Sequence, residues 1–218
     1  MAPNATAGQE NAFALLRRMA KPQPQAEQCE FCSLVLPATH RHVLEVANRR
    51  IICSCDACAL RFESVIGRLK LIPRDPILLP EFKMTDGMWD GLALPINLAF
   101  FFHSTPAKKV VAMYPGPAGA TESLLSLETW QTLTEANPPL AHMEADVQAL
   151  LVNRLGPVKI YFIAPIDRCF ELVGLLRLNW HGLSGGEKVW KKIQDYFEKL
   201  KSENRGRDFP ANRELVHA

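Results

Sequence analysis

The sequence predicts an α+β protein that begins with a four-cysteine module of the treble-clef or zinc-ribbon kind and continues into a small mixed sheet packed with helices. Three observations predict this class. Two cysteine pairs with the same internal spacing flank a hairpin pattern. Runs of β-branched and aromatic residues alternate with turn residues through the middle of the chain, and an amphipathic helix pattern lies near the C-terminus.

Composition places the chain among soluble globular proteins. Its 218 residues include 25 Lys plus Arg and 23 Asp plus Glu, and 48% of residues are hydrophobic, which excludes a wholly disordered, collagen-like or coiled-coil chain. The net charge of +2 argues against nucleic acid as the main partner. No apolar run approaches the ~18 residues of a membrane span. The N-terminus has no signal-peptide pattern, so we expect a cytoplasmic protein.

Four segments are predicted along the chain. Residues 1–27 are predicted to be a flexible tail with a short helix within 13–19, because small, polar and proline residues dominate there. Residues 28–65 form the predicted metal-binding module. Residues 66–203 form the α+β body, and residues 204–218 form a polar C-terminal tail.

Local patterns predict the elements. In the module, residues 43–46 and 50–53 read as a hairpin, and a helix starts after Cys55. In the body, prolines at 73, 76 and 80 impose a loop or an edge strand. Residues 95–102, 109–114 and 159–164 are predicted strands, residues 114–119 a rigid loop, and Ser126 the N-cap of a helix through residue 136.

Three further segments carry helical spacing of apolar residues. Residues 143–155 are predicted to form a helix that ends at Gly156. Residues 167–180 fit a helix capped by Asp167 and fit an alternating strand nearly as well, so both remain open. The last helix is the clearest, because residues 189–200 form one apolar stripe with lysines outside it, and Ser184 is the expected N-cap.

The predicted metal ligands are Cys29 and Cys32, followed by Cys55 and Cys58. Two residues between thiolates allow both sulfurs to reach one cation, and two such pairs supply the ligands of a closed tetrahedral site. In a reducing compartment cysteines in this pattern bind metal more often than they form disulfides. Zinc is the predicted ion. Iron is the alternative, since four thiolates also describe a rubredoxin centre.

Three neighbouring residues leave alternatives open. Cys53 breaks the two-residue spacing and is interpreted as a buried thiol, with a redox-active or alternate ligand as the second interpretation. His40 and His42 are predicted to be surface histidines of the loop near Pro37, with a role beside the metal ligands as the alternative.

Other motifs favour structural roles. Cys169 could act as a nucleophile with His181 only if the fold brings them together, and a core position is the preferred interpretation. Residues 183–187 (LSGGE) resemble an ABC-ATPase signature loop, but the chain has no phosphate-binding Gly-Lys motif, so nucleotide hydrolysis is rejected. Residues 116–123 are predicted to be a turn instead of a phosphate site.

The chain resembles an uncharacterised bacterial family whose members are encoded beside actinobacterial-type, high-affinity nickel-iron hydrogenases. The resemblance covers roughly residues 29–200. It rests on the four-cysteine module with His40-Arg41-His42, the segment 98–102 (LAFFF), the segment 114–123 (YPGPAGATES), the segment 165–169 (PIDRC) and the segment 182–186 (GLSGG). It implies a protein partner, either a hydrogenase subunit or a maturation factor.

The predicted function is therefore that of a non-catalytic, zinc-binding accessory protein associated with a nickel-iron hydrogenase in maturation, assembly or docking. The alternative is a rubredoxin-like iron protein that exchanges electrons with the hydrogenase. A third hypothesis is an enzyme that uses Cys169. The first two hypotheses share the same four ligands and differ in the metal.

Overall fold

A computed structural model describes residues 26–63, 68–123, 127–182 and 185–204. The predicted helix within 13–19 and the predicted N-caps Ser126 and Ser184 lie outside the described residues, as does nearly all of both predicted tails. The described chain forms two antiparallel sheets and five α-helices.

The first sheet has three strands in the order β2-β1-β3, with β1 at Arg41–Glu45, β2 at Arg50–Ser54 and β3 at Leu69–Leu71. Strands β1 and β2 form a hairpin whose register pairs His42 with Cys53 and Glu45 with Arg50. Helix α1 (Asp56–Glu63) follows β2 directly. Strand β3 comes after the predicted module boundary at residue 65 and pairs with β1, so the hairpin shares a sheet with the body.

The second sheet has six strands in the order β4-β9-β8-β5-β6-β7, and every pairing in it is antiparallel. Its central strands are long and apolar, whereas β4 at the edge has two residues. The six strands are β4 (Ile77–Leu78), β5 (Leu98–Ser104), β6 (Lys109–Gly116), β7 (Gly119–Ser123), β8 (Gln148–Asn153) and β9 (Ile160–Pro165).

Helices cover both faces of the six-stranded sheet. One face packs against α4 (Ile166–Asn179) and α5 (Glu187–Glu203). The other packs against α2 (Asp86–Asp90), α3 (Leu127–Ala136) and a 3₁₀ turn at Pro138–His142. Side chains alternate between the two cores along each strand, so Phe100 and Phe102 face α4 and α5, whereas Phe101 faces the opposite core.

The three-stranded sheet joins the core on the α4 and α5 side. Leu44 and Val46, at and just beyond the end of β1, and Ile72, which follows β3, are buried within that core. Arg49, in the β1–β2 turn, lies with its guanidinium 5.3 Å from the ring centre of Phe102. The hairpin is therefore anchored to the body through both apolar and cation–π contacts.

Most predicted elements are confirmed. The hairpin, the helix after Cys55, the strands β5, β6 and β9, the helix ending at Ala136 and the last helix are all present. The open choice for residues 167–180 resolves as helix α4. Its cap position is Pro165, so the prediction of Asp167 as the cap is wrong, and Asp167 lies in the first turn.

Three predictions about the body are wrong. Residues 148–153 form strand β8, because a strand buried on both faces is a continuous apolar run that contains helical spacings by coincidence. The sheet is entirely antiparallel, not mixed. Residues 114–119 belong to a hairpin: β6 pairs with β7 up to Gly116 and Gly119, and only Pro117 and Ala118 form the turn.

Among the described helices, none combines the length and the apolar character that crossing a lipid bilayer requires.

Asp146 links the two sheets through a buried carboxylate. It lies just before β8 and accepts hydrogen bonds from the Thr105 backbone N–H at 2.7 Å and from the Thr105 hydroxyl at 2.5 Å. The Lys70 ammonium of β3 donates to the same side chain at 2.9 Å. Burial opposes ionisation, but the bonds from Thr105 and Lys70 outweigh it and lower the pKa of Asp146 below its ordinary value of 3.8.

Replacing Asp146 with asparagine should destabilise the protein in a pH-dependent way. Asparagine tolerates the left-handed backbone here (φ 70°), so the change removes mainly the charge. We expect the free energy of unfolding at pH 7 to fall by about 1–2 kcal/mol in urea titrations. Because the native pKa is lowered, the stabilisation is complete above about pH 3.8 and declines as the pH falls further, so the two proteins should converge there. The exposed Asp90→Asn variant is the control, and a difference between wild type and Asp146→Asn that persists unchanged at acid pH would contradict this account.

Candidate metal centre

The first cysteine pair lies in a tight turn that precedes β1. The Cys29 backbone N–H donates to the Leu34 carbonyl at 2.8 Å, and the Ser33 N–H donates to the Cys29 carbonyl at 2.7 Å. An antiparallel bridge between Gln28 and Val35 closes the turn from outside. Ser33 takes a left-handed conformation with φ 61°, which is costly for a residue with a Cβ. The turn directs both thiols toward its own concave side.

The second pair lies where β2 passes into α1. Cys55 follows the last residue of β2, and Cys58 is in the first turn of the helix. The Cys58 backbone N–H donates to the Cys55 sulfur at 3.4 Å, and the Ala59 N–H donates to the Cys55 carbonyl at 2.9 Å. The start of α1 therefore holds the sulfurs of Cys55 and Cys58 close to the turn that carries Cys29 and Cys32.

The four sulfurs of Cys29, Cys32, Cys55 and Cys58 lie within 4.8 Å of one another. The Cys32 and Cys55 sulfurs are 3.8 Å apart. Cys29 is buried, Cys55 and Cys58 are half-buried, and Cys32 is exposed. This tetrathiolate cluster could hold a metal ion.

The cysteines of the cluster have strongly shifted pKa values, in opposite directions. Burial opposes ionisation of Cys29, but hydrogen bonds from the backbone of Cys55, Phe31 and Cys32 lower the pKa of that thiol to about 6. Burial and the surrounding sulfurs raise the pKa of Cys58 to about 12. A positive charge among the four sulfurs would favour their ionised forms, and a bound cation would supply that charge.

Glu30 joins the first cysteine turn to the hairpin. Its backbone N–H donates to the Cys53 carbonyl at 2.9 Å, and its carboxylate accepts from the Cys53 N–H at 3.0 Å. The same carboxylate forms an ion pair with Arg50. Glu30 is not among the site residues predicted from the sequence, although a Glu between the cysteines of the first pair and an Arg at the start of the facing strand are visible there. Glu30 positions the first pair against β2.

The two histidines do not lie where the sequence suggested. His42 is on β1 with its side chain 28% exposed, so its predicted position in a loop is wrong. The side chain of His40 is only 4% exposed, so its predicted surface position is wrong. One ring nitrogen of each and the Cys53 sulfur lie within 4.8 Å of one another. Cys53 itself is half-buried, whereas a buried thiol was expected. The proximity of His40, His42 and Cys53 could have been predicted from the sequence only with the hairpin register known.

Cys169 is a core residue. It is fully buried on α4, and burial raises the pKa of its thiol well above the ordinary value. His181 is exposed and forms a backbone bridge with Gly185. The core interpretation of Cys169 agrees with this environment, which does not favour a thiolate nucleophile.

Fold and site together define an α+β protein with a tetrathiolate cluster, able to hold one metal ion, beside a six-stranded antiparallel sheet. The chain belongs to the family described as "Family of unknown function (DUF5947)", whose model matches residues 28–204. Searches of curated proteins and of solved structures gave no match to this chain. The matched range begins one residue before Cys29 and therefore includes the whole cluster.

Ser33→Gly should stabilise the cysteine turn. Glycine takes the left-handed conformation without the Cβ clash but loses more backbone freedom on folding, so we expect a net gain of about 0.5–1 kcal/mol in the free energy of unfolding. Metal content should stay unchanged, because no ligand is touched. Ser33→Val is the matched control and should lower both stability and metal retention. A glycine variant that unfolds more readily than wild type in denaturant titrations would show that the turn is held by something other than backbone strain.

Proposed function

We propose that this protein is a non-catalytic, zinc-binding accessory protein of a nickel-iron hydrogenase, acting in maturation, assembly or docking. The observation that carries the metal part is the convergence of four sulfurs from two separate chain segments. A tetrahedral ion with metal–sulfur bonds of about 2.3 Å separates its ligands by about 3.8 Å. The 3.8 Å between Cys32 and Cys55 matches that separation.

Zinc has a structural role in this proposal. All four positions of the ion are filled by Cys29, Cys32, Cys55 and Cys58, which leaves no position for a substrate or a water. The order of elements, a cysteine turn, a hairpin and a helix that carries the second pair, supports a module of the treble-clef or zinc-ribbon kind. The cross-link would stabilise a three-stranded sheet too small to hold a core alone.

The hydrogenase part is supported by the resemblance of the cysteine module and four further segments to the hydrogenase-associated family described above. Two surfaces are candidates for the contact: the hairpin turn at 115–119 and the loop 182–186. The exposed apolar side chains of Leu34, Val35 and Leu60 lie on the segments that carry the four cysteines, and they add a third candidate. A cytoplasmic location belongs to the same proposal and is supported by the six cysteines, all of which are free.

The second candidate is a rubredoxin-like iron protein that exchanges electrons with the hydrogenase. The exposure of Cys32 favours it, because electron transfer needs one edge of the centre near the surface. A structural zinc site does not need that exposure. The same four sulfurs suit both ions, so the metal itself separates the two candidates.

Removal of one cysteine from either pair should release the metal from the four-cysteine cluster. Cys29→Ser and Cys58→Ser each leave three thiolates, and we expect metal content measured by elemental analysis to fall by one ion per chain, together with lower solubility. Cys169→Ala is the matched control: it removes a thiol outside the cluster and should keep the metal while losing about 1 kcal/mol of stability. Full metal occupancy of the cluster in Cys29→Ser or Cys58→Ser would refute the assignment of ligands.

Protein isolated without oxygen from its native host should be colourless and loaded with zinc. Red protein with sulfur-to-iron charge-transfer bands would show that the bound metal is iron and would support the electron-transfer candidate.

The hydrogenase link has its own test: deletion of the gene should lower hydrogenase activity in the host. Wild type and Cys169→Ala should restore that activity and Cys29→Ser should not, whereas full activity in the deletion strain would refute the accessory role.

A further inference from the structure

The β1–β2 hairpin carries a second group of metal-ligating side chains outside the tetrathiolate cluster. His42 lies on β1, and His40 lies one residue before that strand begins. Cys53 is the direct cross-strand partner of His42. One ring nitrogen of each histidine and the Cys53 sulfur lie within 4.8 Å of one another, and the two imidazole centres are 4.7 Å apart.

The hydrogen bonds of both histidines leave the same nitrogen free. The His40 Nδ1 lies 3.0 Å from the Pro37 carbonyl, which can only accept, so Nδ1 carries the proton. The His42 Nδ1 lies 2.7 Å from the Asp167 carboxylate, and it too donates. In the neutral form of each ring, Nε2 is therefore the nitrogen that carries a lone pair. A carbonyl or carboxylate behind Nδ1 is the arrangement that orients histidines toward metal ions.

The His40 ring provides an independent sign of a missing ligand. Its side chain is only 4% exposed, and its buried Nε2 has no hydrogen-bond partner among the described residues. A buried nitrogen without a partner costs about 1–3 kcal/mol. A cation bound at Nε2 would remove that cost.

The group lies at the end of a polar cleft. A cleft of about 670 Å³ is lined by His40, His42 and Asp167 together with charged side chains of α4 and α5, among them Arg168 and Lys199. His40 and His42 thus line the cleft, whereas Cys53, on β2, is not among its lining residues.

We propose that His40, His42 and Cys53 form a second site for a zinc-like divalent ion, with the fourth coordination position open toward the cleft. Tetrahedral zinc with two nitrogen ligands and one sulfur ligand separates them by about 3.4–3.8 Å, and one potential ligand atom of each of the three residues already lies within 4.8 Å of the other two. Three protein ligands and one open position are typical of zinc sites that bind a water or a small molecule. Asp167 is a positioning residue, because it acts through the His42 ring.

The test is the number of zinc ions bound by the full chain. After saturation with Zn²⁺ and removal of loosely bound metal, we expect two ions per chain in wild type by elemental analysis. His40→Ala and Cys53→Ser should each bind one. His181→Ala, which removes an exposed histidine outside both groups, should still bind two. The ion that remains in the tetrathiolate cluster reports that His40→Ala and Cys53→Ser are folded.

The Asp167→Asn variant tests whether Asp167 positions the His42 ring or only contributes to folding. It preserves the shape of the side chain but weakens the acceptor for the His42 Nδ1–H, so the second Zn²⁺ should bind about 10- to 100-fold more weakly. The thermal stability of the metal-free protein should change little. Unchanged zinc affinity in Asp167→Asn would remove Asp167 from the proposal.

Titration with Co²⁺ provides a readout of the ligands themselves. Wild type should show two phases, of which the second has a weaker sulfur-to-cobalt absorption because one thiolate replaces four, and His40→Ala should lack that second phase. One ion per chain, retained in His40→Ala and lost in Cys58→Ser, would overturn the second site and leave the tetrathiolate proposal intact. One ion lost in His40→Ala but retained in Cys58→Ser would support the second site and refute the tetrathiolate proposal.

Discussion

The antiparallel pairing of β1 with both β2 and β3 is the constraint on which the rest of the structure depends. Pairing with β2 returns the chain to the cysteine turn, so that Cys55 reaches the sulfur of Cys32 across 22 intervening residues. Pairing with β3 joins the same hairpin to the body, where Leu44 enters the core under α4. One short strand therefore sets the geometry of the cysteines and the position of the whole module on the sheet.

The register of the β1–β2 hairpin determines which group of side chains each of its cysteines joins. Cys53, inside β2, faces His42, whereas Cys55, one residue past the strand, joins the tetrathiolate cluster. Glu30 connects the two groups, because it belongs to the first cysteine turn and bonds the backbone of Cys53. A shift of the hairpin by one residue would turn Cys53 to the opposite face and separate it from both histidines. The backbone bonds from Glu30 oppose such a shift.

Much of the module could be predicted from the sequence, because its signals are local. The two-residue spacing in each cysteine pair and the turn at residues 47–49 identify the four clustered cysteines and the hairpin without knowledge of the fold. Strand β8 could not be assigned correctly, since burial on both faces removes the alternation that distinguishes a strand. The proximity of His40, His42 and Cys53 depends on register, and the contact of His42 with Asp167 spans 125 positions, so neither has a local signal.

The contact between His42 and Asp167 lies in the first turn of α4, a helix that begins without a side-chain cap. Pro165 takes the cap position and offers no side-chain acceptor, and the first acidic side chain of the helix points across to the hairpin. An aspartate in a first turn is stabilised by the helix dipole wherever it points, so its carboxylate is available to orient the imidazole at little cost to the helix. The body thus supplies the carboxylate that hydrogen-bonds the imidazole of His42 on the hairpin. Any ion held by His42 is then coupled to the packing of the three-stranded sheet against α4, whereas an ion in the tetrathiolate cluster depends on the hairpin and its flanking cysteine segments alone.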